Sequence, residues 1–255
     1  MGDLSNIGRR ELKKVERRDN ILTAAEKLFF ANGYDNVSLN EIAKEADLGR
    51  STVYLYFENK EELFFAIVLK GTKILHELII EETDKVETSF SKLTAFRKAY
   101  YIFAKEYPEH LKAYNYLLSG RFNLAKIENR EDRLDSIVDG KNNREFKKEI
   151  DEIRISNSPI AKFTTSEYLN EILFLRREML NTLCKSIDLG KTEGIIRPDV
   201  NSVEATVLLT LIANSIDNLP PDLRDLLESQ KINHEKFLVD VGDFIGYMVS
   251  NRNNK

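Results

Sequence analysis

One cysteine, Cys184, in a chain of 255 residues excludes an internal disulfide framework. A lone cysteine reads as a small core hydrophobe rather than a reactive thiol. Tryptophan is absent, and only 5 prolines and 11 glycines interrupt the chain, which favours helices over many short strands. Three histidines, no glycine-rich phosphate loop and no H-E-x-x-H or C-x-x-C spacing leave little from which to build a catalytic centre or metal site. No enzyme activity, cofactor or metal is therefore expected. The first eighteen residues lack the apolar stretch of a secretory signal. The longest strongly apolar run, Val207–Ala213, is far too short to cross a bilayer. A cytoplasmic protein without a membrane partner is expected.

What is present is charge and helix-forming sequence. Hydrophobic residues make up 42% and charged residues 31%, a balance that suits a soluble chain with a real core. The net charge of −4 argues against an anionic partner only as an average. Residues 1–18 hold Arg9, Arg10, Lys13, Lys14, Arg17 and Arg18 against Asp3, Glu11 and Glu16. That is a local +3, which leaves −7 for the rest of the chain. A basic arm on an acidic body permits phosphate attraction, although a solvated charged tail has the same composition.

Apolar spacing predicts a first helix over 17–32, extending back towards Leu12, with Ile21, Ala24, Ala25, Leu28 and Phe29 on one face. Gly33 suits the left-handed residue that ends it. Ser38 and Glu41 form a capping box for a short second helix burying Ile42, Ala43 and Ala46. Asp47, Leu48 and Gly49 make a turn, and a third helix is expected over 50–57. Asn59 and Glu62 cap a fourth helix running to about Glu82. Two short helices joined by a three-residue turn make a helix-turn-helix. Val53 and Phe57 face inward by their spacing, which leaves Arg50, Ser51, Thr52, Tyr54 and Tyr56 outside. Further helices are expected over 88–106, 108–127, 144–155, 165–190, 201–218 and 234–251. Breaks are read at Gly190 to Pro198 and at Pro220–Pro221. The charged stretch from Ala125 to Ser158 is a candidate partner surface.

The segment Ile21–Leu63, ILTAAEKLFFANGYDNVSLNEIAKEADLGRSTVYLYFENKEEL, resembles the DNA-binding domain of TetR-family regulators. AAEKLF, GY, a Ser-capped IA helix, STVYLYF and NKEEL appear in the family's order. Two positions depart from the pattern. Asp47 stands where glycine is usual and Gly49 where a serine cap is usual; each tolerates the required backbone. The resemblance implies an all-α chain with a basic arm and helix-turn-helix domain over 1–63 and a helical sensor and dimerisation domain over 64–255. It implies a homodimer, double-stranded DNA carrying a palindromic operator as partner, and a small-molecule ligand whose binding releases the DNA.

Recognition helices place their N-terminal residues against base edges, which makes Arg50, Ser51 and Thr52 the expected sequence readers. Arg50 is suited to a bidentate contact with guanine or to a plain phosphate contact. Tyr54, Tyr56 and Lys60 match the family's phosphate-contacting positions, although one of the tyrosines could be mostly core. Ser38 is a similar anchor, although capping alone explains it. For the ligand, Tyr100, Phe103, Tyr107, Tyr114, Phe122 and Phe174 are candidates for a pocket or simply for the core. His76 and His110 are candidate polar contacts or ordinary histidines. For the dimer, Ala205, Leu209 and Ile212 join Phe237, Val241, Phe244, Ile245 and Met248, with Gly242 and Gly246 admitting a partner helix; packing within one subunit is the alternative. Gly71 is read as a weak point at which the fourth helix bends. A DNA-bound interaction protein of the same fold without an inducer is the alternative function.

Overall fold

The computed structural model describes residues 4–122, 166–216 and 219–251, with side chains from Leu12 onward except those of 214, 216, 234, 235 and 238. The helix expected over 144–155, the charged stretch from Ala125 to Ser158 and the side chains of Arg9 and Arg10 lie outside the described residues. The described residues form ten helices: α1 Leu4–Asn32, α2 Leu39–Glu45, α3 Arg50–Tyr54, α4 Lys60–Asp84, α5 Ser89–Glu106, α6 Pro108–Leu118, α7 Glu167–Thr192, α8 Ser202–Ile216, α9 Pro221–Ser229 and α10 His234–Val249. The fold is all-α, as expected.

The starts and stops follow local chemistry. α1 ends where Gly33 takes φ +78° and donates its N–H to the Phe29 carbonyl at 2.8 Å. Asn59 caps α4 by accepting from the Glu62 N–H at 2.9 Å. Asn201 accepts from Val203 and Glu204 at the start of α8, and Asn233 from Lys236 at the start of α10.

Four boundaries differ from the sequence reading. α3 stops at Tyr54 rather than Phe57, because the Leu55 and Tyr56 N–H groups bond three residues back, to Thr52 and Val53, and tighten the last turn. α1 starts at Leu4, beyond the Leu12 towards which the expected helix extended. α6 stops at Leu118 rather than near Ile127, because Gly120 adopts φ +85°, which no right-handed helix continues. α9 arises where Pro220–Pro221 was read as a break; Pro221 stands at the first helical position, where its missing N–H costs nothing.

Contacts divide the chain into two compact units, Met1–Ile74 with Ala104–Arg176, and Leu75–Phe103 with Arg177–Lys255. In the first, Ile21, Ala25, Ile42, Val53, Leu63 and Val68 are fully buried in one core that also takes in Leu117, Leu169 and Ile172. An aromatic group of Tyr34, Phe64, Phe65, Tyr116 and Phe122 packs with it; Phe64 and Phe122 stack at 5.6 Å, and Tyr34 meets Phe64 at 4.8 Å. In the second unit, Ser89 at the head of α5 donates to the Ser186 carbonyl at 2.7 Å, and its N–H donates to Glu193. Cys184 is buried with its sulfur 3.1 Å from the Thr206 hydroxyl, a packed position consistent with a core role. The strand-like pairing of Ile196 with Ser250 ties the end of α10 to the loop after α7.

Gly71 has a packing reason rather than a hinge reason. It is buried, and a methyl group there would come within 2.8 Å of the His110 Cβ and 3.0 Å of its ring. His110 lies edge-on to Phe30 at 5.0 Å, with Nε2 3.4 Å from Glu26, and burial holds its pKa below the ordinary value. Gly71→Ala is therefore expected to destabilise by about 1–3 kcal/mol through overpacking, and pairing it with His110→Ala is expected to recover part of that loss. Denaturant titration of the two variants checks this. A helix hinge without a steric role would instead gain about 1 kcal/mol from alanine.

Candidate nucleic-acid interface

The helix-turn-helix is assembled from short-range bonds and then fixed by burial. Ser38 closes both arms of its capping box: its Oγ accepts from the Glu41 N–H at 3.3 Å, and the Glu41 carboxylate accepts from the Ser38 N–H at 2.8 Å and its hydroxyl at 2.7 Å. Those hydrogen bonds hold the Glu41 carboxyl below its usual pKa. In the turn Asp47 takes φ +54°, the left-handed backbone that glycine would adopt freely, while the Leu48 N–H reaches back to the Ala43 carbonyl at 2.9 Å. Gly49 precedes α3 in extended conformation and offers no side-chain cap. Asn20 on α1 donates to the Ala46 carbonyl at 3.0 Å, and Lys27 pairs with Glu45 at 2.5 Å. Both bonds lock the end of α2 against α1.

α3 is only five residues long, and Val53 and Phe57 bury it on one side. Arg50, Ser51 and Tyr54 are exposed on the other, with Thr52 half-buried. The Arg50 guanidinium donates to the Tyr54 hydroxyl at 3.0 Å and lies 5.4 Å from that ring's centroid, so its rotamer is partly set without a partner. Tyr56 is half-buried against the core, whereas Tyr54 points outward. Lys60 donates to the carbonyls of Tyr34 and Val37, each at 3.0 Å, with its ammonium 4.1 Å from the Tyr34 ring centroid. Two of its three N–H donors are thus taken by protein. Burial and the neighbouring Glu61 charge push Tyr34 up to about 12. An open concavity beside the turn is lined by Asn40, Lys44, Asp47, Leu48, Gly49 and Arg50.

Two features escaped the sequence reading. Leu55, directly after α3, is 81% exposed. Arg18 on α1 lies 5.4 Å from the Phe57 ring and 5.7 Å from the Tyr168 ring, and donates to the Tyr168 hydroxyl at 2.6 Å. Beside it Ser166 donates to Glu62 at 3.0 Å, and Lys73 pairs with Glu171 at 2.8 Å. The first turns of α7 therefore hold α1 and α4, and Arg18 of α1 in turn meets Phe57 at the end of the α3 segment. Burial raises the Glu62 pKa, against the hydrogen bond from Ser166.

The other expected positions fall as follows. Tyr114 is buried and its hydroxyl accepts from Arg176 at 2.8 Å. Phe122 and Phe174 pack on the same core as Tyr114. Tyr107 stands at the N-cap position of α6 without a side-chain cap bond and is partly exposed, while Phe103 is fully buried and Tyr100 half-buried within the second unit. His76 lies 2.9 Å from Glu178 in that unit. On α8, Ala205, Leu209 and Ile212 are half-buried beside exposed Val207, Leu208 and Leu211. On α10, Phe237, Val241 and Ile245 are half-buried, while Phe244, Tyr247 and Met248 are more than half exposed. Gly242 differs from the expectation: the space beside it holds the Arg97 side chain of the same chain, whereas Gly246 faces open space.

Two outcomes follow from this geometry. Asp47→Gly is expected to stabilise by up to about 1 kcal/mol by relieving the left-handed backbone, whereas Asp47→Val is expected to cost about 1–2 kcal/mol; thermal denaturation checks both. Tyr168→Phe, which keeps the ring but removes the acceptor of the Arg18 hydrogen bond, is expected to cost about 1–2 kcal/mol. Amide exchange in 50–57 should rise with it, and unchanged protection there would contradict a link between α7 and α3.

Residues 21–67 match the family model described as bacterial regulatory proteins, tetR family. An uncharacterised HTH-type transcriptional regulator of Bacillus subtilis, YhgD, is 32% identical over 103 residues, which cover 38% of this chain and 54% of that protein. The chain thus spans about half the length of that curated relative. Among solved structures, a bacterial regulatory protein of the TetR family from Rhodococcus RHA1 superposes with TM-score 0.60 at 18% identity, over 91% of this chain and 96% of that one. AibR, solved with isovaleryl coenzyme A and operator DNA, gives TM-score 0.55 at 16% identity over 91% and 97%. The likeness to these structures extends the shared fold well beyond the segment that the family model matches. With its Ser38-capped second helix, its left-handed turn and the buried Val53 and Phe57 behind α3, the segment 21–67 is thus similar to the DNA-binding segment of tetR-family bacterial regulatory proteins.

Proposed function

We propose that this chain is a sequence-specific DNA-binding transcriptional repressor that acts in the cytoplasm as a homodimer on a palindromic operator and is released by a small-molecule ligand. The observation that carries the reading is α3 itself, anchored by buried Val53 and Phe57 and presenting Arg50, Ser51 and Tyr54 outward. In this reading Arg50, Ser51 and Thr52 meet base edges in the major groove, and Ser38, Tyr54, Tyr56 and the remaining N–H of Lys60 hold phosphates. Residues 1–63 read DNA and residues 64–255 sense and dimerise. This division concerns roles, since the packing of α1–α3 is shared with α6 and α7.

A single five-residue helix makes too few contacts for specific binding. Two copies held about one helical turn apart, roughly 34–36 Å, read both halves of a palindrome. The exposed apolar side chains on α8 and α10 supply a surface for that pairing: Val207, Leu208 and Leu211 with Phe244, Tyr247 and Met248. AibR, whose structure holds both isovaleryl coenzyme A and operator DNA, supports joining ligand and DNA in one mechanism. Among the described residues no helix is long and apolar enough to cross a membrane.

Selection from a random duplex library with the full-length protein tests the reading. An inverted repeat is expected to emerge, bound by a species of twice the chain mass in light scattering. Arg50→Ala is expected to lower discrimination at one base pair of each half-site by about 1–3 kcal/mol. Phe244→Asp is expected to halve the mass and weaken operator binding at least about tenfold without unfolding the chain. A monomeric protein that enriches no sequence would overturn the reading.

A further inference from the structure

An exposed leucine is ordinary on a protein surface; what singles out Leu55 is its place. At 81% it is more exposed than any other large hydrophobic side chain among the described residues. It follows Tyr54 with φ −71° and ψ −20°, so it continues the helical phase of α3. That phase puts Leu55 four residues after Ser51 and three after Thr52, away from the buried Val53 and Phe57. Its N–H is already bonded to the Thr52 carbonyl at 3.1 Å. Arg50 and Tyr54 are paired with each other beside it and do not cover it.

An isobutyl group carries no donor or acceptor, so it can bond neither phosphate oxygens nor the polar edges of bases. Of the groups that base pairs present in the major groove, the C5-methyl of thymine is the apolar one. We propose that Leu55 is a specificity-determining residue that reads thymine by packing its side chain against that methyl group. The assignment rests on the DNA-binding reading above. It makes the outer end of α3 an apolar reader, complementary to polar readout by Arg50 and Ser51. Removing one methyl from such a contact weakens binding about fourfold.

The test uses the operator selected by the wild-type full-length protein, with each thymine replaced in turn by deoxyuridine, which removes only the methyl group. Wild-type protein is expected to bind one such duplex about fourfold more weakly than the parent. Leu55→Ala, an exposed substitution expected to leave the melting temperature unchanged, should bind the thymine and deoxyuridine duplexes equally. Random-duplex selection with Leu55→Ala should relax the preference at that base pair alone. If the operator is bound but no thymine is methyl-sensitive, or if Leu55→Ala keeps the full sensitivity, the assignment is wrong while the DNA-binding reading stands. If the wild type selects no duplex, both fall together.

Discussion

The burial of Val53 and Phe57 is the constraint on which the outward face of α3 depends. A helix of five residues gains too few hydrogen bonds to offset its nucleation cost, so it has no stability of its own. Its conformation is imposed by the core of Ile21, Ala25, Ile42 and Leu63, all fully buried. The direction in which Arg50, Ser51 and Tyr54 project is therefore set by apolar packing on the opposite side of the same short rod. The left-handed Asp47 fits this picture. Its backbone cost is tolerated because Asn20 and the Leu48 N–H fasten the turn from either side.

Much of the helix-turn-helix was legible in the sequence because its signals are local. The Ser38–Glu41 box, the Asn59–Glu62 cap and Gly33 each act within four residues, and each takes the geometry expected of it. Other features were opaque for physical reasons. α1 reaches Leu4 through a charged stretch without an apolar stripe to reveal it. α9 was hidden by prolines that start a helix as readily as they end one. Arg18 and Tyr168 are 150 residues apart in sequence, and no periodicity pairs them. Two glycines misled in the same way. Gly71 and Gly242 looked like freedom to bend or to admit another subunit, yet His110 and Arg97 of the same chain fill the space they leave. A glycine's partner is a tertiary fact.

The polar groups on the proposed DNA face are organised before any partner arrives. Arg50 rests on Tyr54, and Lys60 is held by two carbonyls over the Tyr34 ring. Long cationic side chains ordinarily lose rotamer entropy on binding. Restricting them in the free protein moves part of that loss into folding and leaves more of each contact's strength for recognition.

The junction at Arg18 has a further consequence. One guanidinium touches the ring that closes the α3 segment and the ring that opens α7. The beginning of α7 is thereby joined to the end of the α3 segment through Arg18 as well as through the Ser166 bond to α4.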